Sequence, residues 1–414
     1  MWHLSRALAE LGHEVIVLSG PPYPEPMPWA KLVRIPNENF INKFGKDVIP
    51  RQNPLSVFKP LNFFELALSR AGNNPEMLAF SLRAFSLLKS WLKKGRKIDI
   101  VHDNQSLGYG LLLIQKLGIP VVATVHHPLQ VDRKEDIRQI PEFLKQAKRC
   151  LYYPLWMQKL VARRMNQLIT VSETSRRLIS EWYKIPLEKI KTIYNGVDLD
   201  VFRPIAEVKK IPGRIIFVGS TEDRKKGILY LLRAVKMLNH KKAHLVIVDG
   251  RLRPGRVYAK NLIQTLGLSK KVTWREKISI DELVKEYNQA EVCVVPSLFE
   301  GFGLPALEAM ACGCALVASS AGALPEVVGE GEDAGGVLVP KGDEKALAEK
   351  VNQILSNQEF RKELERKARA RAEKFFSWRN SARQIEGIYL KLKQRALLED
   401  EKRIFQEQEG TINC

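Results

Sequence analysis

The sequence predicts an α/β protein built from two doubly wound, Rossmann-like domains. Three observations carry that prediction. Short apolar runs of strand length alternate with segments of helical period along the whole chain, the pattern of parallel sheets covered by helices. Ten such strands exceed what one open sheet ordinarily holds, so they divide between two sheets. At 414 residues the chain is also long enough for two separate cores.

The elements follow in order. Leu4, Ala7, Leu8 and Leu11 mark one face of an opening helix that Gly12 ends, and "EVIVLSG" continues as a strand. A doubly wound domain ordinarily opens on a strand that sits mid-sheet, so a strand and its loop are expected upstream of Met1. The stretch from Pro21 to about Asn74, rich in Pro and Asn, reads as loops. "IDIVHD", "VVATVHH" and "LITVS" supply further strands of the first domain. Periodicity lapses in "NGVDLDVFRPIAEVKKIPGR", Asn195 to Arg214, which reads as the seam. Beyond it come "IIFVGS", "HLVIVDG", "VTW", "VCVVPS", "ALVAS" and "GVLVP", with helices such as "LVKEYNQA" and "EKALAEKVNQILSN" between them. The expected domains are residues 1–200 and 201–380, followed by a C-terminal helix within 381–414 that returns to the first domain. The polar end beyond Leu398 is expected to be mobile.

Composition narrows the function classes. Lys and Arg number 66 against 46 Asp and Glu, a net charge of +20 spread over both halves rather than gathered in a tail. A cationic body of this kind is drawn to phosphates, whether of a nucleotide or of a membrane surface. No motif of a nucleic-acid reader accompanies the charge, and a nucleic-acid partner is not expected. No apolar run reaches the ~18–20 residues of a membrane span. Five unpatterned cysteines fit neither a disulfide framework nor a zinc site, so a cytoplasmic setting is expected.

The chemistry concentrates in "SLFEGFGLPALEAMACGCALVAS", Ser297 to Ser319. A buried-strand pattern leads into a glycine loop carrying Glu300, and a helix opens at Pro305 with Glu308 about one turn inside. Glycines let the backbone approach a ligand, and a helix start attracts anions. Two carboxylates at such a mouth suit hydrogen bonds from sugar or ribose hydroxyls. A lone pair of glutamates would read as a solvated helix start; the glycines and the strand shift the balance. "DLD" at Asp198–Asp200 spells a metal-binding triplet but lies in a turn at the seam, so no metal site is expected. "GFGLPA" lacks the third glycine of a dinucleotide fingerprint.

"PSLFEGFGLPALEAMACG" resembles the E-x7-E segment of the family 4 glycosyltransferases, which are retaining enzymes of two-domain GT-B fold, their domains facing a cleft. "VSETSRRLI", "IYNGVDLDVFRP", "FVGSTEDRKKGILYLLRAV", "GALPEVV" and "FSWRNSARQIEGIY" resemble the same family, in order, from Met1 to about Lys393. The resemblance implies a hexosyltransferase that uses a nucleoside diphosphate sugar, with no metal or other cofactor. It assigns Glu300 to the donor sugar's hydroxyls and Glu308 to the ribose. Gly301, Phe302 and Gly303 would line the sugar through their backbone, with Leu304 and Pro305 beside the diphosphate. Lys226 matches the diphosphate lysine. The family usually has Arg directly after the "FVG" strand, where this chain has Ser220; Arg224, or else Lys225, is expected to supply that charge. Base readout is expected near Lys277 and Ile278, and His126 in "TVHHP" is expected to face the donor sugar. His102 and Asp103 are weaker candidates for the acceptor side. The family's glycine-rich loop after the first strand has no counterpart here, since "GYG" at Gly108–Gly110 follows the wrong strand.

The acceptor is open: lipid, glycan or small molecule. "FSLLKSWLKKGRK", with Trp91 among basic residues, reads either as a helix packed on the sheet or as a peripheral contact with a membrane's inner face. The alternatives are an epimerase or a phosphorylase on the same scaffold, and a non-catalytic sugar- or membrane-binding protein.

Overall fold

A computed structural model describes residues 1–37, 40, 54–138, 142, 146, 150, 152–250 and 257–412. Of the stretch between Pro21 and Asn74 that was expected to be loops, residues 38–39 and 41–53 lie outside the described residues, as does Cys414; the rest is not all loop, since Lys31–Arg34 is a strand and Pro60–Arg70 a helix that opens on its proline. The chain divides into two compact units. The first comprises Met1–Val171, Ser175–Ile193 and Ala382–Cys414; the second comprises Ser172–Thr174 and Tyr194–Ser381.

Twelve strands are described, β1 (Ile16–Ser19), β2 (Lys31–Arg34), β3 (Val101–Asn104), β4 (Val121–Val125), β5 (Gln167–Thr170), β6 (Ile190–Thr192), β7 (Arg214–Val218), β8 (His244–Asp249), β9 (Val272–Glu276), β10 (Val292–Val295), β11 (Ala315–Ser319) and β12 (Val337–Val339). All ten sequence-predicted strands are among them. The two that sequence reading missed, "KLVR" and "IKT", are short, and each mixes apolar residues with lysine, so neither shows strand alternation.

In the second unit one parallel sheet runs β12-β11-β10-β7-β8-β9. Its first strand in sequence, β7, lies inside the sheet. From it the chain winds outward through β8 and β9, then crosses back to β10 on the other side. β7 and β10 are thus neighbours whose following loops diverge, the switch point at which such sheets bind ligands. Both faces are covered. Val292 and Val294 join Ile215, Phe217, Leu245, Ile247 and Val317 in the core on one side, and every residue of β10 is buried. That is why these strands read as unbroken apolar runs rather than as alternation.

The first unit departs from a single sheet. β1 pairs only with β2, while β3-β4-β5-β6 form a separate parallel sheet. Among the described residues no strand joins the two. The core of this unit gathers Leu111, Ile114, Val121, Ala123, Val125, Leu168 and Ile179. The helix Glu76–Lys93 buries Leu88 there, and Trp91 packs against the same cluster with the Arg96 guanidinium 4.5 Å from its ring. The packed-helix reading accounts for Trp91.

The last helix, Trp378–Ile412, extends through the stretch expected to be mobile. "ALLEDEKRIFQEQ" is rich in Ala, Leu, Glu, Lys, Arg and Gln, all good helix formers, so propensity there favours continuation. Its residues from Ala382 onward belong to the first unit. Three side chains fasten it: Glu386 to His13 at 2.9 Å, Tyr389 to His102 at 2.5 Å and Lys393 to Asp99 at 2.8 Å.

Candidate functional site

The site in the second unit grows from the two loops at the switch point. After β7 the chain is pinned by Thr221, whose N–H and hydroxyl both donate to Asp249 Oδ2 at the end of β8, at 3.0 and 2.7 Å. Asp223 then accepts from the Lys225 N–H at 3.0 Å and starts a single turn, Arg224–Lys226. Gly227 closes that turn with a left-handed φ of 69°. A Cβ there would lie 1.9 Å from the Pro296 carbonyl oxygen, so only glycine lets the loops after β7 and β10 approach this closely. The Leu298 N–H donates to the Lys225 carbonyl at 2.7 Å and completes the lock.

This lock brings Lys226 to Glu300. Lys226 Nζ lies 2.7 Å from Glu300 Oε1, and Ser297 Oγ donates to the same oxygen at 2.7 Å. Glu300 is buried to 8% exposure although it lies in a loop. Its carbonyl accepts from the Ala323 N–H at 2.9 Å, so main chain and side chain are both held. Glu300 is thus a fixed acceptor, with a lysine that already balances its charge.

The loop runs on through Gly301 and Phe302 to Gly303, which caps the Leu304–Ala311 helix with φ 108°. The helix begins one residue earlier than expected, placing Leu304 first and Pro305 second, because Gly303 has already turned the chain. The Phe302 ring is buried between Tyr194 and Phe376, at centroid distances of 6.3 and 6.0 Å. Leu304 is exposed at the helix start; Pro305 carries no N–H, and the Ala306 N–H already donates to the Gly303 carbonyl at 3.1 Å. One turn in, Glu308 Oε2 accepts from the Tyr287 hydroxyl at 3.0 Å. Burial pushes the Glu308 carboxyl above the usual range, partly offset by that hydrogen bond.

Other expected residues lie apart from this pair. Arg224 is exposed and stacks over the Tyr258 ring at 5.2 Å, rather than touching Lys226 or Glu300. Ile278 is half-buried between Lys277, whose φ is 53°, and Ser279, which caps the Ile280–Gln289 helix through a reciprocal box with Glu282. A lysine in the left-handed region is an uncommon backbone state, of a kind that gathers at binding sites.

His126 belongs to the first unit, at the end of β4. Its Nε2 lies 2.9 Å from Asn104 Oδ1, and burial lowers its pKa to about 4. His102 and Asp103 are both engaged within the first unit. His102 Nε2 lies 2.7 Å from Thr124 Oγ1, with Tyr389 at its other nitrogen, and Asp103 accepts from Ser106 Oγ and the Leu107 N–H. Asp198 likewise accepts from the backbone of Asp200 and Val201, so the "DLD" triplet is a turn. Among the described residues no group of three or more His, Cys, Asp or Glu side chains could hold a metal ion. Ser297 and Tyr287 are the site residues that sequence reading missed. Ser297 stood in plain view three positions before Glu300, whereas nothing local marks Tyr287 as a partner of Glu308.

The chain thus has two α/β units with parallel sheets, one of which joins a glycine-loop carboxylate and a lysine at its switch point. The family "Glycosyltransferase Family 4" matches residues 1–201, and "Glycosyl transferases group 1" matches residues 200–371. The MMP alpha-(1->4)-mannosyltransferase of Mycolicibacterium hassiacum is 39% identical over 393 residues, covering 94% of this chain and 93% of the relative. Among solved structures, the sucrose-phosphate synthase of Thermosynechococcus elongatus is similar with TM-score 0.70 and 26% identity, covering 94% of this chain and 91% of the other. Anabaena HepE, solved with UDP and glucose, shares the fold with TM-score 0.64 and 17% identity, over 94% and 95% of the two chains. The chain belongs to the family 4, group 1 glycosyltransferases.

Proposed function

We propose that this glycosyltransferase moves a hexose from a nucleoside diphosphate sugar to an acceptor hydroxyl, with retention at the anomeric carbon and without a metal ion. The observation that carries the reading is the Lys226–Glu300 pair, fixed by Ser297 at the mouth of the Leu304–Ala311 helix. A lysine beside a helix start is suited to a departing diphosphate, since both present positive potential to the charge that develops as the bond breaks. Glu300, released from Lys226 when the phosphates arrive, accepts from the sugar's hydroxyls. Leu304 sits at the diphosphate end of the helix, and the Gly301, Phe302 and Gly303 backbone lies along the sugar. Glu308, held by Tyr287, accepts from the ribose. The strained Lys277 and its neighbour Ile278 supply backbone groups for the base. Arg224 adds cationic potential and reaches the phosphates on leaving the Tyr258 ring.

His126 contacts the sugar near the anomeric centre as a neutral imidazole. No covalent nucleophile is required: the leaving phosphate removes the acceptor's proton on the face it vacates. Similarity to an α-mannosyltransferase favours a mannosyl group and an α-linked product. An α product from an α-linked donor is retention. The acceptor remains lipid, glycan or small molecule. Peripheral membrane contact is not needed, since Trp91 is accounted for by packing.

The test is transfer itself. The chain is incubated with nucleoside diphosphate hexoses and a panel of sugar and polyol acceptors in excess EDTA, and the product's anomeric signal is read by NMR. An α-linked product formed in EDTA is expected. A β-linked product, or activity abolished by EDTA, would contradict the reading.

A further inference from the structure

The loop that follows β3 in the first unit is built with unusual backbone. Gln105 and Leu107 both occupy the left-handed region, at φ 64° and 45°. Two such residues so close together, neither of them glycine, mark a loop held in a costly shape by its surroundings. What holds it is plain. Asp103 accepts from Ser106 Oγ and from the Leu107 N–H at 3.0 Å, folding the loop onto the end of β3.

What the shape achieves is an amide clamp on the neighbouring strand end. Gln105 Oε1 accepts from the His126 N–H at 2.6 Å, and Gln105 Nε2 donates to the His127 carbonyl at 2.9 Å. Ser175 Oγ donates to the His126 carbonyl at 2.8 Å from a third direction. The backbone of His126 is therefore fixed on both sides. Its ring is fixed by the last residue of β3, with Asn104 Oδ1 at 2.9 Å from Nε2.

An amide oxygen only accepts. In a neutral imidazole one nitrogen carries the proton and the other the lone pair. Oδ1 opposite Nε2 therefore selects the Nε2–H tautomer and puts the lone pair on Nδ1, which no group among the described residues engages. We propose that Asn104 and Gln105 are positioning residues that hold His126 as the Nε2–H tautomer, so that Nδ1 accepts a hydrogen bond from a substrate hydroxyl. Burial, which keeps the ring neutral in neutral solution, is consistent with an acceptor role. The substrate part of this inference rests on the glycosyl-transfer reading above; the tautomer part does not.

The experiment separates the two. The full chain is labelled with 15N-histidine, and long-range proton–nitrogen correlations identify the protonated nitrogen of each ring, with His126→Gln assigning the His126 signals. Neutral His126 bearing its proton on Nε2 is the expected result. Asn104→Ala should shift the ring's tautomer populations toward those of a free imidazole. A ring protonated on Nδ1 or on both nitrogens at neutral pH would overturn the proposal, as would an Asn104→Ala spectrum identical to the parent. In transfer assays Asn104→Ala should lower kcat roughly tenfold with the donor KM little changed, the scale of losing a residue that orients a ligand. Combined with His126→Ala it should add nothing further; full additivity of the two losses would count against coupling through the ring. The expected spectrum without transfer from any donor would contradict the glycosyl-transfer reading alone and leave the tautomer supported.

Discussion

Lys226 Nζ and Ser297 Oγ meet on one oxygen of Glu300, each 2.7 Å away. The three come from two different loops, and they meet because β7 and β10 are neighbours at the point where the sheet's winding reverses. In the proposed reaction Lys226 changes partners when a diphosphate arrives, and Ser297 keeps Glu300 in place.

Replacing Lys226 by Ala is accordingly expected to lower kcat roughly 100-fold or more, the scale of removing one preorganised stabiliser of developing charge. Stability should fall as well, by about 1–3 kcal/mol, since the buried Glu300 loses the cation that balances its charge although Ser297 still donates to it. Steady-state kinetics and a denaturant curve on the same preparation check both statements.

Ser297→Ala should behave differently. Glu300 keeps Lys226 in the free protein but loses its anchor once Lys226 turns to phosphate. Nucleotide affinity by calorimetry should stay within about threefold, while kcat falls roughly tenfold, a loss of the size of one hydrogen bond to a charged group. Equal losses in affinity and turnover would mean that Ser297 shapes the whole loop.

Gly227→Ala tests the lock between the loops. A Cβ 1.9 Å from the Pro296 oxygen cannot be accommodated without separating the loops, and the left-handed φ adds strain. A loss of about 2–4 kcal/mol is expected, in the range for strain at a special backbone site. A thermal midpoint matching the parent would show that the loops can part freely.

Stability should also depend on pH through His102. Its ring is closed in by Tyr389 and Thr124, and burial lowers its pKa from 6.5 to about 4. Between those values the unfolded chain binds a proton that the folded chain does not, so stability rises with pH across that window. It is complete above about 6.5 and is lost progressively on acidification, by up to about 3 kcal/mol for this group. His126, lowered in the same direction, adds to the trend. Melting curves between about pH 7 and pH 5 should show the midpoint falling with acidification, less steeply in His102→Gln. A midpoint that rises on acidification would contradict the assignment.

All strands but the two lysine-bearing ones of the first unit were legible, since buried parallel strands are uninterrupted apolar runs, and "VCVV" and "ALVAS" can be little else. The glycine loop and the two glutamates were legible because a strand, a turn and a helix start follow one another within a few residues. The contacts that complete the site were not. Lys226 and Glu300 are 74 residues apart, and their pairing depends on strand order, which no local pattern encodes. The same holds for Tyr287 and Glu308, and for the Gln105 clamp on His126, whose partners lie 21 residues apart. The separation of β1 and β2 from the other strands of the first unit was likewise invisible, since strand pairing is a tertiary property.

The measurement that bears most directly on the switch-point site is calorimetric titration of UDP, GDP and ADP into the full chain and into Lys226→Ala. One nucleotide should bind the parent clearly, and binding should weaken at least tenfold without Lys226, as expected for a lost charge-assisted contact to phosphate. Equal binding to both proteins, or no binding of any of the three to a folded parent, would contradict the assignment of the Lys226–Glu300 pair to a nucleotide-sugar donor.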